Sequence, residues 1–412
     1  MTLLHNKVSD FCQKGRYKSA LNAANELMAL FEQKGLTNTC EYAKELFTIG
    51  YVCDELADYV PALDYYKKAK DILEIADEKS TLLADALNNS AIILAKHGRF
   101  DGAIRYFTMA RLVVNKSMNK KYAAALTYSI ASCYILKKDY ARAALYYTES
   151  MKTFQLKGME LVDTFCNLGY CLEVLSTPAQ AIGCFENALV LFNAPKHEEK
   201  REFFAIKLRI ARLYVETDNI QKALGMLNSL TEEIADEFGI QNMQYVYGVN
   251  MLSNIYAQID GKMAAKYKKA ALDAMERITS KEHFMYKRMV RELAEIYRNS
   301  GDFTNALEAI SQCTLTAQQS GNTDTDEYVN SAIIQADILR KQDKATEAIS
   351  LLESIVYGCS NQREGYVQCI LMLVHLYLQY GYGKALYGIY DKFVQVRPGN
   401  SFDDMLDMSE EY

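Results

Sequence analysis

Ten alanines recur through the chain at nearly constant spacing, at positions 20, 62, 103, 143, 181, 223, 264, 306, 348 and 385, with steps of 37 to 42 residues. A short turn precedes each one. It reads GRY at 15–17, ADY at 57–59, GRF at 98–100, KDY at 138–140 and GDF at 301–303, with looser versions at 176–178, 218–220, 260–262, 343–345 and 381–383. Apolar residues lie at helical spacing on both sides of the turn. In the third unit Leu87, Ala91 and Leu94 come before it, and Ala103, Phe107, Ala110 and Val114 follow. A helix pair with so narrow an apolar face cannot bury it alone. One period running through the whole chain therefore predicts stacked hairpins, each completed by its neighbours.

Small residues accompany the period. Twelve positions before the recurrent alanine stand Gly50, Ala91, Ala131, Gly169, Ala211, Ala294 and Ala336, and seven after it stand Ala69, Ala110, Ser150, Ala188 and Ala271. Such residues let two helix backbones approach closely while larger neighbours fill the gaps. Val8 and Leu373 replace the small residue in the first and last units, a departure expected of caps that pack on one side only.

The pattern resembles the tetratricopeptide repeat: a small residue in helix A, an aromatic in or before the turn, and alanine opening helix B. Residues 87–110, LNNSAIILAKHGRFDGAIRYFTMA, and 292–313, ELAEIYRNSGDFTNALEAISQC, carry the resemblance, which covers 1–397. The family's usual period is about 34 residues. The longer period here resembles that of kinesin light chains, Leu-Gly-Asn-rich polarity adaptors and bacterial Rap-type peptide receptors. The family's Trp and terminal Pro are missing. The resemblance implies an all-α fold, an α-α superhelix or solenoid of about ten helix-turn-helix repeats. It would form one domain over 1–400, with repeats near 1–36, 37–79, 80–119, 120–158, 159–198, 199–240, 241–280, 281–322, 323–362 and 363–398, followed by an acidic tail at 399–412.

Composition narrows the partners. The net charge is −6, and the tail contributes Asp403, Asp404, Asp407, Glu410 and Glu411; removing those five charges leaves −1. There is no basic stripe of the kind that binds nucleic acid. No apolar run reaches the length needed to cross a bilayer, and the opening residues carry charge immediately after two leucines, unlike an export signal. The expectation is a cytoplasmic protein without nucleic-acid or membrane partners. Its ten scattered cysteines would then be reduced and buried as small hydrophobes.

Catalytic patterns are weak. Five histidines are dispersed, with no H-x-x-x-H spacing, and Cys166 and Cys171 are poorly spaced for a metal. Gly381-Tyr382-Gly383-Lys384 reads as an inter-helix turn and not as a phosphate loop. Residues 322–327 lack the central Gly and distal Glu of a calcium loop. The expectation is a chain that is not an enzyme and carries no cofactor or metal.

Recognition by the inner surface remains. By the register of the resembled family, helix A lines the concave face, which points to Asn89, Tyr128, Asn167, Tyr170, Arg209, Arg212, Asn250, Asn254, Arg288, Arg291 and Arg298 as a peptide-binding groove. An Asn amide both donates and accepts, so it can hold a peptide backbone of any sequence; Arg adds bidentate contacts to carboxylates. These residues suggest a protein or peptide ligand of acidic character. The plainer alternative is solvated dressing, with Arg288 paired to Glu292 and Arg291 to Glu295 along one helix. The carboxylate clamp that grips chaperone tails is incomplete here: Asn167 and Arg209 match, but Ala125, Ser129 and Ala205 stand where Lys, Asn and Lys are needed.

The segment at 401–412 interleaves its acids with Phe402, Met405 and Leu406. It is expected either to enter an Arg-lined groove, in this chain or in a neighbour, or to be a solubilising disordered end or a terminal helical cap. Three functional readings follow: a non-catalytic scaffold or adaptor holding an extended partner segment, a Rap-type receptor for a peptide pheromone, and an accessory subunit of a separately encoded enzyme.

Overall fold

The protein was described from a computed structural model, which covers residues 1–77, 80–116, 119–153, 158–192 and 195–412. Among these residues the chain is all α, and its helices come in pairs. The first five pairs are α1 (Thr2–Gln13) with α2 (Tyr17–Gln33), α3 (Cys40–Glu55) with α4 (Tyr59–Ala76), α5 (Thr81–Lys96) with α6 (Phe100–Lys116), α7 (Lys120–Leu136) with α8 (Tyr140–Thr153), and α9 (Met159–Val174) with α10 (Pro178–Phe192). The next five are α11 (His197–Glu216) with α12 (Ile220–Phe238), α13 (Met243–Tyr256) with α14 (Gly261–Glu276), α15 (Phe284–Asn299) with α16 (Phe303–Gln319), α17 (Asp326–Lys341) with α18 (Ala345–Gly358), and α19 (Tyr366–Tyr380) with α20 (Leu386–Val396). A final helix, α21 (Phe402–Ser409), follows. The expected junction after residue 79 lies outside the described residues.

The hairpins have a shared local cause. In nine of the ten described, a residue one or two positions past the end of helix A adopts a left-handed conformation, with φ between 57° and 78°: Gly15, Ala57, Gly98, Lys138, Ser176, Asp218, Gly301, Asp343 and Gly381. The next N–H then reaches back to a carbonyl five residues earlier, as in Arg16 to Phe11 (2.8 Å), Arg99 to Leu94 (2.9 Å) and Tyr382 to Tyr377 (2.8 Å). This Schellman geometry satisfies the last carbonyls of one helix and turns the chain into the next. The turn at 258–261 differs: Asp260 is extended (φ −149°), and its carboxylate caps α14 by accepting from the backbone of Lys262 (2.9 Å) and Met263 (3.2 Å).

The chain divides into two compact units, Met1–Ile206 and Lys207–Tyr412. Within each, the recurrent alanines belong to the buried interior. Nine of the ten are wholly inaccessible; Ala385, in a 3-10 turn ahead of α20, is half-buried. The small residues behave as the spacing predicts. A side chain at Gly50 would stand 2.8 Å from the Tyr66 ring, and one at Gly169 would stand 2.9 Å from Phe185.

The tail is a cap. Ser401 and Asp404 form a reciprocal capping box at the start of α21. Phe402 stacks on Tyr387 and meets Tyr390 edge-on, Met405 is fully buried, and the Ser409 carbonyl lies 3.2 Å from Nδ1 of His375 on α19. All five acidic side chains of the tail face solvent.

All ten cysteines are free thiols, but they are not uniformly buried. Cys53, Cys133, Cys171 and Cys369 are buried, whereas Cys40 is exposed because it opens α3 beside its N-cap, Thr39. The other five are half-buried.

Candidate functional site

In the unit Lys207–Tyr412, α11, α13 and α15 border a cleft of about 810 Å³. Its walls are largely apolar, with Met243, Tyr247, Met251, Phe284, Met285 and Met289 among them. Four of the residues expected to bind a ligand converge here: Arg212, Asn250, Asn254 and Arg288. Asn250 and Asn254 are one helical turn apart on α13, so both amides project from the same side.

The two amides meet an ammonium. Lys268 of α14 has no exposed surface, and its Nζ donates to Asn250 Oδ1 (2.5 Å), Asn254 Oδ1 (2.9 Å) and Glu292 Oε2 (2.7 Å). The three N–H bonds of the ammonium are thereby satisfied. Burial pushes the Lys268 pKa down, against the opposing pull of Glu292. Glu292 also accepts from Arg288 Nε (3.0 Å), and Arg212 approaches Glu216 at 3.5 Å. Arg212, Lys268 and Arg288 are thus balanced around the cleft by Glu216, Asp218 and Glu292, and the site is not the uniformly basic groove that an acidic ligand would favour.

Lys268 was not among the residues expected to matter. Aligning the repeats would have revealed it. Four positions after the recurrent alanine the other nine repeats place Ala24, Tyr66, Phe107, Tyr147, Phe185, Leu227, Ile310, Leu352 and Ile389, each at most 3% exposed. The seventh repeat alone puts a charge at this core position. Attention to helix A concealed a residue that acts from helix B.

The remaining expected residues are distributed elsewhere. Arg291 does not pair with Glu295; it lies close enough to Cys313 for its charge to act on that thiol. Arg298 donates to Asp337 (3.2 Å), which also accepts from Arg340 (2.9 Å) and contacts Lys341 (3.2 Å). Arg209 is half-buried on α11 and does not line the cleft.

The unit Met1–Ile206 has its own cleft of about 520 Å³, lined by Tyr122, Tyr128, Ser129, Glu160 and Asp163 among others. Tyr128 is held by Asn167, whose Nδ2 donates to the phenolic oxygen at 2.8 Å, and Tyr122 donates to Asp85 at 2.7 Å. Burial pushes the Asp163 carboxyl above its ordinary pKa, and burial together with the Asp163 charge does the same to Glu202. Asn89 donates to the buried Tyr66 hydroxyl (3.2 Å), and Tyr170 lies edge-on to Tyr140 with 5.8 Å between ring centres. Several expected ligand contacts are therefore partly engaged within the protein.

Among the described residues no group of three or more His, Cys, Asp or Glu side chains is placed to hold a metal ion, and no helix is long and apolar enough to cross a membrane.

The paired helices, shared turns and buried alanines can be set beside known structures. The C-terminal part of a TPR repeat-containing protein from Cytophaga hutchinsonii superposes with a TM-score of 0.51 over 66% of this chain and 99% of its own, at 17% identity. The fold is that of the tetratricopeptide repeat. Weaker likenesses include the apo form of RapI (TM-score 0.45, 17% identity, 67% of this chain and 98% of that one) and the apo form of the quorum sensor NprR from B. thuringiensis (0.42, 14%, 74% and 84%). No family model matches this tetratricopeptide-fold chain, and no curated protein matches it in sequence.

Proposed function

We propose that the chain is a non-catalytic protein- or peptide-binding scaffold whose principal ligand site is the cleft bordered by α11, α13 and α15. The observation that carries this reading is the convergence of Arg212, Asn250, Asn254 and Arg288 on one apolar cleft. A cavity of this size with mostly apolar walls and a few converging polar groups is the usual form of a ligand site. Apolar side chains of an extended segment would enter among the methionines and Phe284, while polar groups of the cleft take its backbone. The balance of charge favours a ligand chosen by apolar side chains and backbone over one chosen by acidity. The tail at 401–412 is a poor competitor for the cleft, since Phe402 and Met405 are engaged on α20 and α19.

Decapeptides selected on the full chain from a displayed random library test the reading. Phe284 is 62% exposed and Tyr247 41% exposed at the cleft, so Phe284→Ala and Tyr247→Ala should leave the fold intact while weakening a selected peptide about ten-fold or more. Undiminished binding would remove the cleft from consideration. Pull-down from cells then separates a scaffold from a receptor for a short peptide: a large stoichiometric partner indicates the first, a small copurifying peptide the second.

A further inference from the structure

Repeat seven breaks the pattern of its neighbours in two places beside the cleft. Its helix B carries Lys268 where the other repeats bury an apolar or aromatic side chain. Its hairpin turn lacks the left-handed residue, and Gln258 and Ile259 of that turn line the cleft. Departures from a repeated local rule concentrate where function requires them.

An ammonium donates and cannot accept. Each amide facing Lys268 must therefore turn its oxygen inward, as Asn250 and Asn254 do. Both residues line the cleft, and among the described residues no side chain accepts from either Nδ2 group. We infer that Lys268 is a specificity-determining positioning residue: it locks the two carboxamides so that this pair offers the cleft N–H donors, and thereby selects a ligand placing carbonyl or carboxylate oxygens against them in register with one helical turn. This rests on the cleft being the peptide site. It replaces the two-way hydrogen bonding expected of a free Asn by one-way recognition. The lock does not touch the ligand. Its effect is to prevent the amides from rotating to accept from a peptide N–H, so a segment of the wrong polarity or register loses these two contacts.

The probe is a fluorescein-labelled decapeptide selected on the full chain, made with a free C-terminal carboxylate and as the carboxamide. Lys268→Met removes the lock and puts an apolar side chain of similar length at an apolar register, so the melting temperature should hold or rise while affinity falls about ten-fold. Asn254→Asp keeps an acceptor for Lys268 but replaces the outward donor by an oxygen; it too should keep the melting temperature and lose about ten-fold or more in affinity. Equal binding of the two probe forms assigns the acceptor to backbone carbonyls, and preference for the free acid assigns it to the terminal carboxylate; either supports the donor-only amide pair. If Phe284→Ala weakens the probe but Lys268→Met and Asn254→Asp do not, the lock is refuted and the peptide site stands. If no variant of the cleft changes binding, or no peptide is selected, the peptide site is refuted and the lock with it.

Discussion

Arg298 and Asp337 stand 39 residues apart in sequence and 3.2 Å apart in space, on the A helices of consecutive hairpins. The stacking of the repeats makes this pairing: Arg298 lies eight residues before its recurrent alanine and Asp337 eleven before its own, so the two A helices meet with an offset of about one turn. Asn167 and Tyr128, also 39 apart, form a similar rung at 2.8 Å.

Asp337 is 9% exposed and holds Arg298, Arg340 and Lys341 together. Burial works to raise its pKa, but the hydrogen bonds and charges of Arg340 and Lys341 outweigh it, and the net shift is downward. Replacing Asp337 by Ala leaves three cations without their shared anion and should cost about 3 kcal/mol in urea unfolding. The sign with pH follows. A carboxylate with a lowered folded pKa stabilises fully above its unfolded pKa of about 3.9 and loses that contribution as pH falls through the folded value. Stability measured from pH 5 downward should therefore fall less steeply in Asp337→Asn than in the wild type.

Gly50 and Gly169 face the rings of Tyr66 and Phe185 with no room for a methyl group. Gly50→Ala and Gly169→Ala should each destabilise by about 1–3 kcal/mol through overpacking, although alanine is the better helix former. Pairing Gly169→Ala with Phe185→Leu should recover part of the loss, and a urea titration of the four proteins measures it.

Five hairpin turns place a residue other than glycine in the left-handed region: Ala57, Lys138, Ser176, Asp218 and Asp343. That conformation costs an ordinary residue about 1–2 kcal/mol, part of which glycine returns through its greater freedom when unfolded. Ala57→Gly and Lys138→Gly should thus stabilise by roughly 0.5–1 kcal/mol each, and Gly98→Ala should do the reverse. Melting temperatures of the three variants check both signs.

Tyr66, Tyr147 and Tyr377 are buried phenols whose pKa values burial raises, with a hydrogen bond to Glu353 adding to the effect at Tyr377. The folded state keeps these protons when the unfolded chain, with phenols near 10, has begun to release them. Stability should therefore be retained below about pH 10 and fall as pH rises toward the folded values. Phenolate absorbance from these rings should appear together with loss of helical circular dichroism. Tyr377→Phe should soften the alkaline slope.

The fold was legible because it rests on small residues and turns, whose spacing can be counted. Gly98 and Gly301 announce the left-handed position, and the alanine after each turn announces a buried contact. Asp218 and Asp343 show that the turn geometry outlasts the glycine. The candidate site was legible only in part. The register of helix A located Asn250, Asn254 and Arg288, but direction of hydrogen bonding depends on what lies behind a side chain, and Lys268 stands on the other helix. Arg291 and Arg298 share a helix with Arg288, yet the charge of one acts on Cys313 and the other binds Asp337, because a few residues of helix rotate a side chain to a different neighbour.

The ammonium enclosed in the seventh hairpin makes the modules of this chain unequal. Hairpins with an aliphatic or aromatic interior could exchange places with little chemical consequence. The seventh cannot be transplanted without its asparagines and Glu292, nor overwritten by a sibling's sequence without erasing the polarity of its cleft.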